Sequence, residues 1–186
     1  MLKKCLHFRV VNLGGCHEIA EVLIFAALKE VRELFVHEAA AAAAGITALT
    51  ICERLERLNL GCRVHVSDGN HLRILANLMK LHLWSTKVRN AEIVGFAFFC
   101  VLVELIVDDG VRVTDVFPLD FLQPISWLSL IETEVDARGV KVLLYCQRLE
   151  ILALGGTRVF YSLKRWRHDA IGQYLESFAW LLYPRA

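Results

Sequence analysis

Between Glu18 and Phe35 the apolar residues fall at Ile19, Val22, Leu23, Ala26, Ala27, Val31 and Leu34. That spacing gathers them on one face of a 3.6-residue helix and predicts an amphipathic helix there. A strand over Leu6 to Val11 precedes it, broken by Gly14-Gly15. Six consecutive alanines, Ala39 to Ala44, predict a second helix that begins at His37 and is closed by Gly45. Thr47 to Leu58 predicts a third helix with Arg54, Glu56 and Arg57 on its wet face, and Arg63 to Val66 predicts a short strand.

Ser67-Asp68-Gly69-Asn70 is the strongest turn signal in the chain. It predicts a boundary between an N-terminal domain over residues 1–68 and a C-terminal domain over residues 69–186. Leu72, Leu75, Leu78, Met79 and Leu83 then predict a helix from His71 to Leu83. Glu92 to Val107 predicts a long apolar strand, Asp108-Asp109-Gly110 a hairpin turn, and Val111 to Phe117 the strand that pairs back. A helix from Ser126 to Ala137 follows Pro124 and stops at Gly139, and Lys141 to Cys146 predicts a buried strand. Leu149 to Leu154 and Arg158 to Leu163 predict a hairpin about Gly155-Gly156, and Asp169 to Leu182 a closing helix with Tyr174, Phe178 and Trp180. Helices first and hairpins later give the expected class, α/β (α+β): a small, mostly helical N-terminal domain followed by a mixed sheet flanked by helices.

Composition adds a constraint. Hydrophobic residues make up 56% of the 186 and charged ones 22%, a surplus that points to apolar surface buried against partners. A membrane span is not expected, because the apolar run from Ile93 to Val103 is bracketed by Glu92 and Glu104 and falls well short of the roughly 20 residues a spanning helix needs. His7, Arg9 and Asn12 interrupt the stretch after Lys3-Lys4, so no signal peptide is expected and the expected location is cytoplasmic. The net charge of +1 argues against nucleic-acid binding by bulk charge. Only three prolines occur, and no repeated or Gly/Ser-rich segment marks a linker. The six cysteines (Cys5, Cys16, Cys52, Cys62, Cys100, Cys146) form no Cys-x-x-Cys pair and read mainly as small core residues, with a disulfide left open.

Candidate chemistry is sparse. His37-Glu38 and His17-Glu18 lack the second histidine that a zinc-binding helix needs, with Ala41 and Glu21 in its place, so no metal and no cofactor is expected. Gly14-Gly15 has no lysine to complete a phosphate cradle and reads as the start of a helix. Asp108, Asp109 and Asp115 form a run of carboxylates, but Asp108-Asp109-Gly110 suits a turn. The basic and aromatic cluster Lys164-Arg165-Trp166-Arg167-His168 could grip a phosphate backbone and stack on a base, or form a solvated strand end; both stay open.

Several of these segments together resemble the C-terminal domain of the archaeal tRNA-splicing endonucleases. Gly95-Phe96-Ala97-Phe98 is similar to the Gly-x-x-Phe piece of that family's Tyr-Gly-x-x-Phe strand. Thr114 to Pro118 resembles the strand end before its helix, Pro124 to Leu128 the helix start, and Gly139 to Leu144 the turn into the core strand. Leu34 to Ala39 is similar to a helix start in the family's N-terminal half. The resemblance implies a tyrosine, histidine and lysine that cleave RNA without metal, leaving a 2′,3′-cyclic phosphate and a 5′-hydroxyl. Here Val94 stands at the tyrosine position, Val111 or Gly110 at the histidine position, and Lys141 beside the lysine position. Valine moves no proton, so no catalytic residue is expected. The resemblance then implies a non-catalytic structural subunit of a crenarchaeal-type enzyme, in an α2β2 heterotetramer with a catalytic homologue. Precursor tRNA would be its substrate, held in part by Lys164, Arg165, Trp166 and Arg167. The alternative is an α/β scaffold or protein-interaction module with no RNA role.

Overall fold

The computed structural model describes residues 7–16, 29–38, 49–62, 69–110 and 112–159. Its core is built from one apolar spacing used again and again. Leu72, Leu75, Leu78, Leu81 and Leu83 are all fully buried, at steps of three, three, three and two. Leu49-Cys52-Leu55-Leu58-Leu60, Phe96-Phe99-Leu102-Leu105-Val107 and Leu119-Leu122-Ile125-Leu128-Leu130 repeat the same steps, also buried. On an α-helix a step of three falls about 60° short of a full turn, so such a row winds off the face. A 3-10 turn has about three residues per turn and an extended strand has a period of two. The chain accordingly takes a helical turn, runs extended, and ends in a short strand.

Among the described residues these strands are β1 (Val10–Asn12), β2 (Glu33–Phe35), β3 (Arg57–Asn59), β4 (Lys80–His82), β5 (Glu104–Ile106), β6 (Trp127–Ser129) and β7 (Ile151–Ala153). They form one parallel sheet in chain order, each strand beside the next. The central residues pair in register from Val11 and Leu34 through Leu58, Leu81, Leu105 and Leu128 to Leu152. Successive centres lie alternately 23 and 24 residues apart (34 − 11 = 23, 58 − 34 = 24, 81 − 58 = 23, 105 − 81 = 24). The chain is therefore a solenoid of coils, each one strand plus a return. Among the described residues the returns carry 3-10 turns at Leu49–Ile51, Gly69–Ile74, Phe117–Phe121 and Gly139–Tyr145, and one α-helix, α1 (Asn90–Phe96). The extra residue of the 24-residue coils lengthens the helical turn: α1 and Gly139–Tyr145 have seven residues, against six and five in their 23-residue neighbours. The Arg89 N–H donates to Glu92 Oε2 at 2.8 Å, which fixes the start of α1.

A second repeated device closes each strand. Gly15, Glu38, Cys62, Ser85, Asp109, Glu132 and Gly156 hold one repeat position, and all have φ between 53° and 73°. Five of them carry a Cβ, at a cost of about 1–2 kcal/mol each in this left-handed conformation. The bend aims their N–H groups at the following coil. Cys62 donates to the Trp84 carbonyl, Ser85 to Asp108, Asp109 to Ile131 and Glu132 to Gly155, all at 2.8 Å. One residue further along, Thr86, Thr133 and Thr157 turn buried hydroxyls back onto the carbonyls of Leu83, Leu130 and Leu154 at 2.6–2.7 Å. The bend amides and these threonine hydroxyls are thus paired within and between coils.

This architecture replaces the expected one. There is no mostly helical N-terminal half followed by a mixed sheet, since parallel strands run through both halves and the single sheet continues past residue 68. The helix expected over Thr47 to Leu58 instead runs into β3, and those expected over His71 to Leu83 and Ser126 to Ala137 contain β4 and β6. The strand expected over Glu92 to Val107 contains most of α1 and only then β5. Asp108-Asp109-Gly110 turns no hairpin, because β5 pairs with β4 and β6 in parallel. β7 pairs in parallel with β6, the expected hairpin strand from Arg158 to Leu163 lies outside the described residues beyond Val159, and Lys141 to Cys146 lies mainly in a 3-10 turn. Val111, the alanine run, Arg63 to Val66 and the closing helix over Asp169 to Leu182 lie outside the described residues. No two described cysteines are bridged; Cys52 and Cys146 fill inward positions, and burial pushes both thiols up to about 11. Among the described residues no helix is long and apolar enough to cross a membrane.

Candidate sheet-face recognition site

Alternation along each strand sends the central residue into the core and the two flanking side chains onto the outside of the sheet. In-register stacking then aligns equivalent residues into columns across the coils. The first column runs Glu33, Arg57, Lys80, Glu104, Trp127 and Ile151; the second runs Phe35, Asn59, His82, Ile106, Ser129 and Ala153. The columns are split by chemistry. From β2 to β5 the first holds two ion pairs in succession, Arg57 Nη1 3.5 Å from Glu33 Oε1 and Lys80 paired with Glu104, with the cations Arg57 and Lys80 on neighbouring strands. From β5 to β7 the face turns apolar through Ile106, Trp127 and Ile151, with Trp127 39% exposed.

Glu104 stands where the two halves meet. Its side chain is only 8% exposed, yet it accepts from Lys80 and lies 2.7 Å from His82 Nε2. Burial pushes its carboxyl up, but the hydrogen bonds and charges of Lys80 and His82 outweigh that, and its pKa lies below the ordinary value. Asp108, just beyond β5, goes the other way. Burial and the neighbouring Asp109 raise its pKa, against the lowering by the Ser129 Oγ–H (2.5 Å), the Ile131 N–H (3.0 Å) and the charge of His82. A third column borders the strands. There Trp84 lies against Gly61 and His37 against Gly14, so close that a Cβ on either glycine would strike the ring. The His37 and Trp84 rings are 6.2 Å apart and tilted by 40°. The sheet thus presents a fixed, hydrogen-bonded polar patch beside exposed aromatic and aliphatic groups.

Lys141 and Val94 are on the opposite, outer side. Val94 is an exposed residue of α1, and Lys141 lines a cavity of about 450 Å³ with Asp115, Asp136, Arg138 and Tyr145. The carboxylates of that cavity hold the backbone: Asp115 accepts from the Phe117 N–H at 2.8 Å, and Asp136 from the N–H groups of Arg138 and Gly139 at 2.8 and 2.9 Å. Gly139 itself is a close-approach position, since a Cβ there would sit 2.7 Å from the Thr114 carbonyl oxygen. Gly139→Ala should lower stability by about 1–3 kcal/mol, read as a lower urea midpoint at unchanged slope. Among the described residues no group of three His, Cys, Asp or Glu side chains is placed to hold a metal ion. Lys164, Arg165, Trp166 and Arg167 lie outside the described residues. Composition and local motifs did not single out Lys80, His82, Glu104 or Trp127. The signal that could have found them is the spacing of Arg57, Lys80, Glu104 and Trp127, which occupy one register.

No protein-family model and no curated protein matches the sequence. Solved structures of low sequence identity share the fold. Internalin C2 of Listeria monocytogenes aligns with a TM-score of 0.61 at 15% identity, over 81% of this chain and 72% of its own. A leucine-rich repeat protein of Leptospira interrogans aligns with 0.62 at 12% identity, over 95% of this chain and 40% of its own. Internalin F of L. monocytogenes aligns with 0.57 at 15% identity, over 80% and 47%. The chain thus spans less than half the length of the last two. The fold is that of a leucine-rich repeat solenoid, and the resemblance to a tRNA-splicing endonuclease subunit is overturned. Gly95-Phe96-Ala97-Phe98, which resembled a strand motif, is the end of α1 and the turn after it, and Pro124 to Leu128 leads into β6 instead of a helix. With that resemblance go the α2β2 assembly with a catalytic homologue and the precursor-tRNA substrate.

Proposed function

We propose that this leucine-rich repeat solenoid is a protein-recognition module that binds its partner on the sheet face across β4 to β7. The observation that carries it is the exposed Trp127 indole, set in the same column as the Lys80–Glu104 pair and flanked by Ile106 and Ile151. Tryptophan anchors surrounded by fixed polar groups dominate protein–protein binding energy, and stacked repeats offer such side chains over an extended surface. The rigidity of the face supports the same reading, because a side chain already held by its neighbours loses little entropy on binding. Of the two functions expected from the sequence, the interaction scaffold is the one this fold supports.

The test compares the wild-type chain with Trp127→Ala and Lys80→Glu, using Gln123→Ala on the opposite side as a control. A partner recovered by affinity purification and then titrated in pure form should bind wild type and control alike. Truncating Trp127 should weaken it by about 2 kcal/mol or more, the loss expected of an anchor residue. Equal affinity for all four chains, each melting as wild type does, removes the sheet face from recognition.

A further inference from the structure

Recognition on the sheet face leaves the outer cavity beside the Gly139–Tyr145 turn unused. The cavity spans two successive returns: Asp115 and Phe117 follow β5, while Asp136, Arg138, Lys141 and Tyr145 follow β6. Its volume of about 450 Å³ falls within the roughly 300–1,000 Å³ of small-molecule sites.

The charges on its wall depart from a pattern seen along the solenoid. Arg32–Glu56, Arg57–Glu33, Lys80–Glu104 and Arg158–Glu134 are ion pairs between equivalent positions of successive coils. Asp115 and Arg138 stand at equivalent positions too, counted from Leu105 and Leu128. Yet no ion pair joins them, because the nearby carboxylates are turned onto the backbone. Asp115 accepts from the Phe117 N–H, and Asp136 from the N–H groups of Arg138 and Gly139, each through Oδ1. Among the described residues the second oxygen of each carboxylate, the Arg138 guanidinium and the Lys141 ammonium enter no ion pair. Acid and base thus reach one cavity from adjacent coils, spaced about 4.8 Å apart like neighbouring strands. Two rings stand at the same cavity, Phe117 and Tyr145, 60% and 67% exposed.

We propose that this cavity binds a free α-amino acid with an aromatic side chain. A simple anion would meet Asp115 and Asp136, and a simple cation would meet Arg138 and Lys141. A zwitterion satisfies both, and an α-amino acid carries its two charges on one carbon, close enough to face adjacent coils. Its carboxylate accepts from Arg138 and Lys141, and its ammonium donates to the free carboxylate oxygens of Asp115 and Asp136. Its ring covers Phe117 and Tyr145, which prefer offset or edge-to-face aromatic neighbours.

The test is isothermal titration calorimetry of the full chain with L-phenylalanine, phenylpropionate (no ammonium), phenethylamine (no carboxylate) and glycine (no ring). L-phenylalanine should bind, and each of the other three should bind about fivefold more weakly or worse, a loss between that of an exposed ion pair and that of a charged hydrogen bond. Asp115→Asn keeps the acceptor for the Phe117 N–H and removes the charge, so it should erode the preference for L-phenylalanine over phenylpropionate. Arg138→Gln should erode the preference over phenethylamine instead. Should either variant melt below wild type, the four ligands on the wild-type chain decide alone. No binding of L-phenylalanine at millimolar concentration overturns the proposal. So does phenylpropionate or phenethylamine binding as tightly as L-phenylalanine, or a preference that both substitutions leave intact.

Discussion

Leu105→Ala should lower the unfolding free energy by about 3–5 kcal/mol, near the top of the range for a buried leucine. Leu105 is fully buried at the centre of β5, and its neighbours in the column, Leu81 and Leu128, belong to coils that are themselves pinned on their far sides. They cannot close over the void without breaking the strand register. Val11→Ala should cost less, because Val11 is only partly buried and β1 pairs with β2 alone among the described strands. The shape of the transition carries further information. A stack held by nearest-neighbour contacts loses cooperativity when a middle coil is weakened, so urea unfolding of Leu105→Ala followed by circular dichroism should broaden as well as shift. A sharp transition displaced by less than 1 kcal/mol would contradict this account of the core.

Glu104→Gln should cost about 1–2 kcal/mol at neutral pH. A hydrogen bond to a charged group contributes roughly 1.5–3 kcal/mol, and the part owed to Lys80 is reduced because that side chain is 34% exposed and screened by solvent. The pH dependence separates this loss from a packing defect. The folded-state pKa of Glu104 is lowered, so its contribution is present above the unfolded carboxyl value and is lost as pH falls through the folded one. Stability curves of wild type and Glu104→Gln should therefore lie apart at neutral pH and converge on acidification. Parallel curves down to the acid transition would mean that the Lys80 and His82 contacts contribute nothing to stability.

The same residues show why the sequence misled at the level of single elements. Leu72, Leu75, Leu78 and Leu83 fit the helical template, because a row with steps of three looks helical over one or two turns. The distinguishing fact is the final step of two, Leu81 to Leu83, which only a strand provides, and the recurrence of that ending at Leu58–Leu60, Leu105–Val107 and Leu128–Leu130. Self-similarity over 23–24 residues is visible only when the chain is compared with itself. Asp108-Asp109-Gly110 carries hairpin residues because a left-handed bend is needed there, but that bend serves a parallel neighbour. The candidate site was legible even less. Lys80, His82, Glu104 and Trp127 are ordinary residues in their local contexts, and only strand register makes them one surface.

The alternation of coil lengths bears on how such a chain can change in size over generations. Leu34, Leu81 and Leu128 each open a 24-residue coil and lie 47 residues apart (81 − 34 = 47, 128 − 81 = 47). The unit that stacks on itself is thus one coil, but the unit that restores the pattern of helical turns is a pair. A gene that gains or loses 47 codons between equivalent leucines keeps a 24-residue coil beside a 23-residue one at the new junction. A change by one coil sets two coils of equal length together, and their longer or shorter outer turns must then share space shaped for an unequal neighbour. Inheritance by doublets is the consequence, and an internal duplication that respects the 47-residue step would lengthen the protein without redesigning any contact.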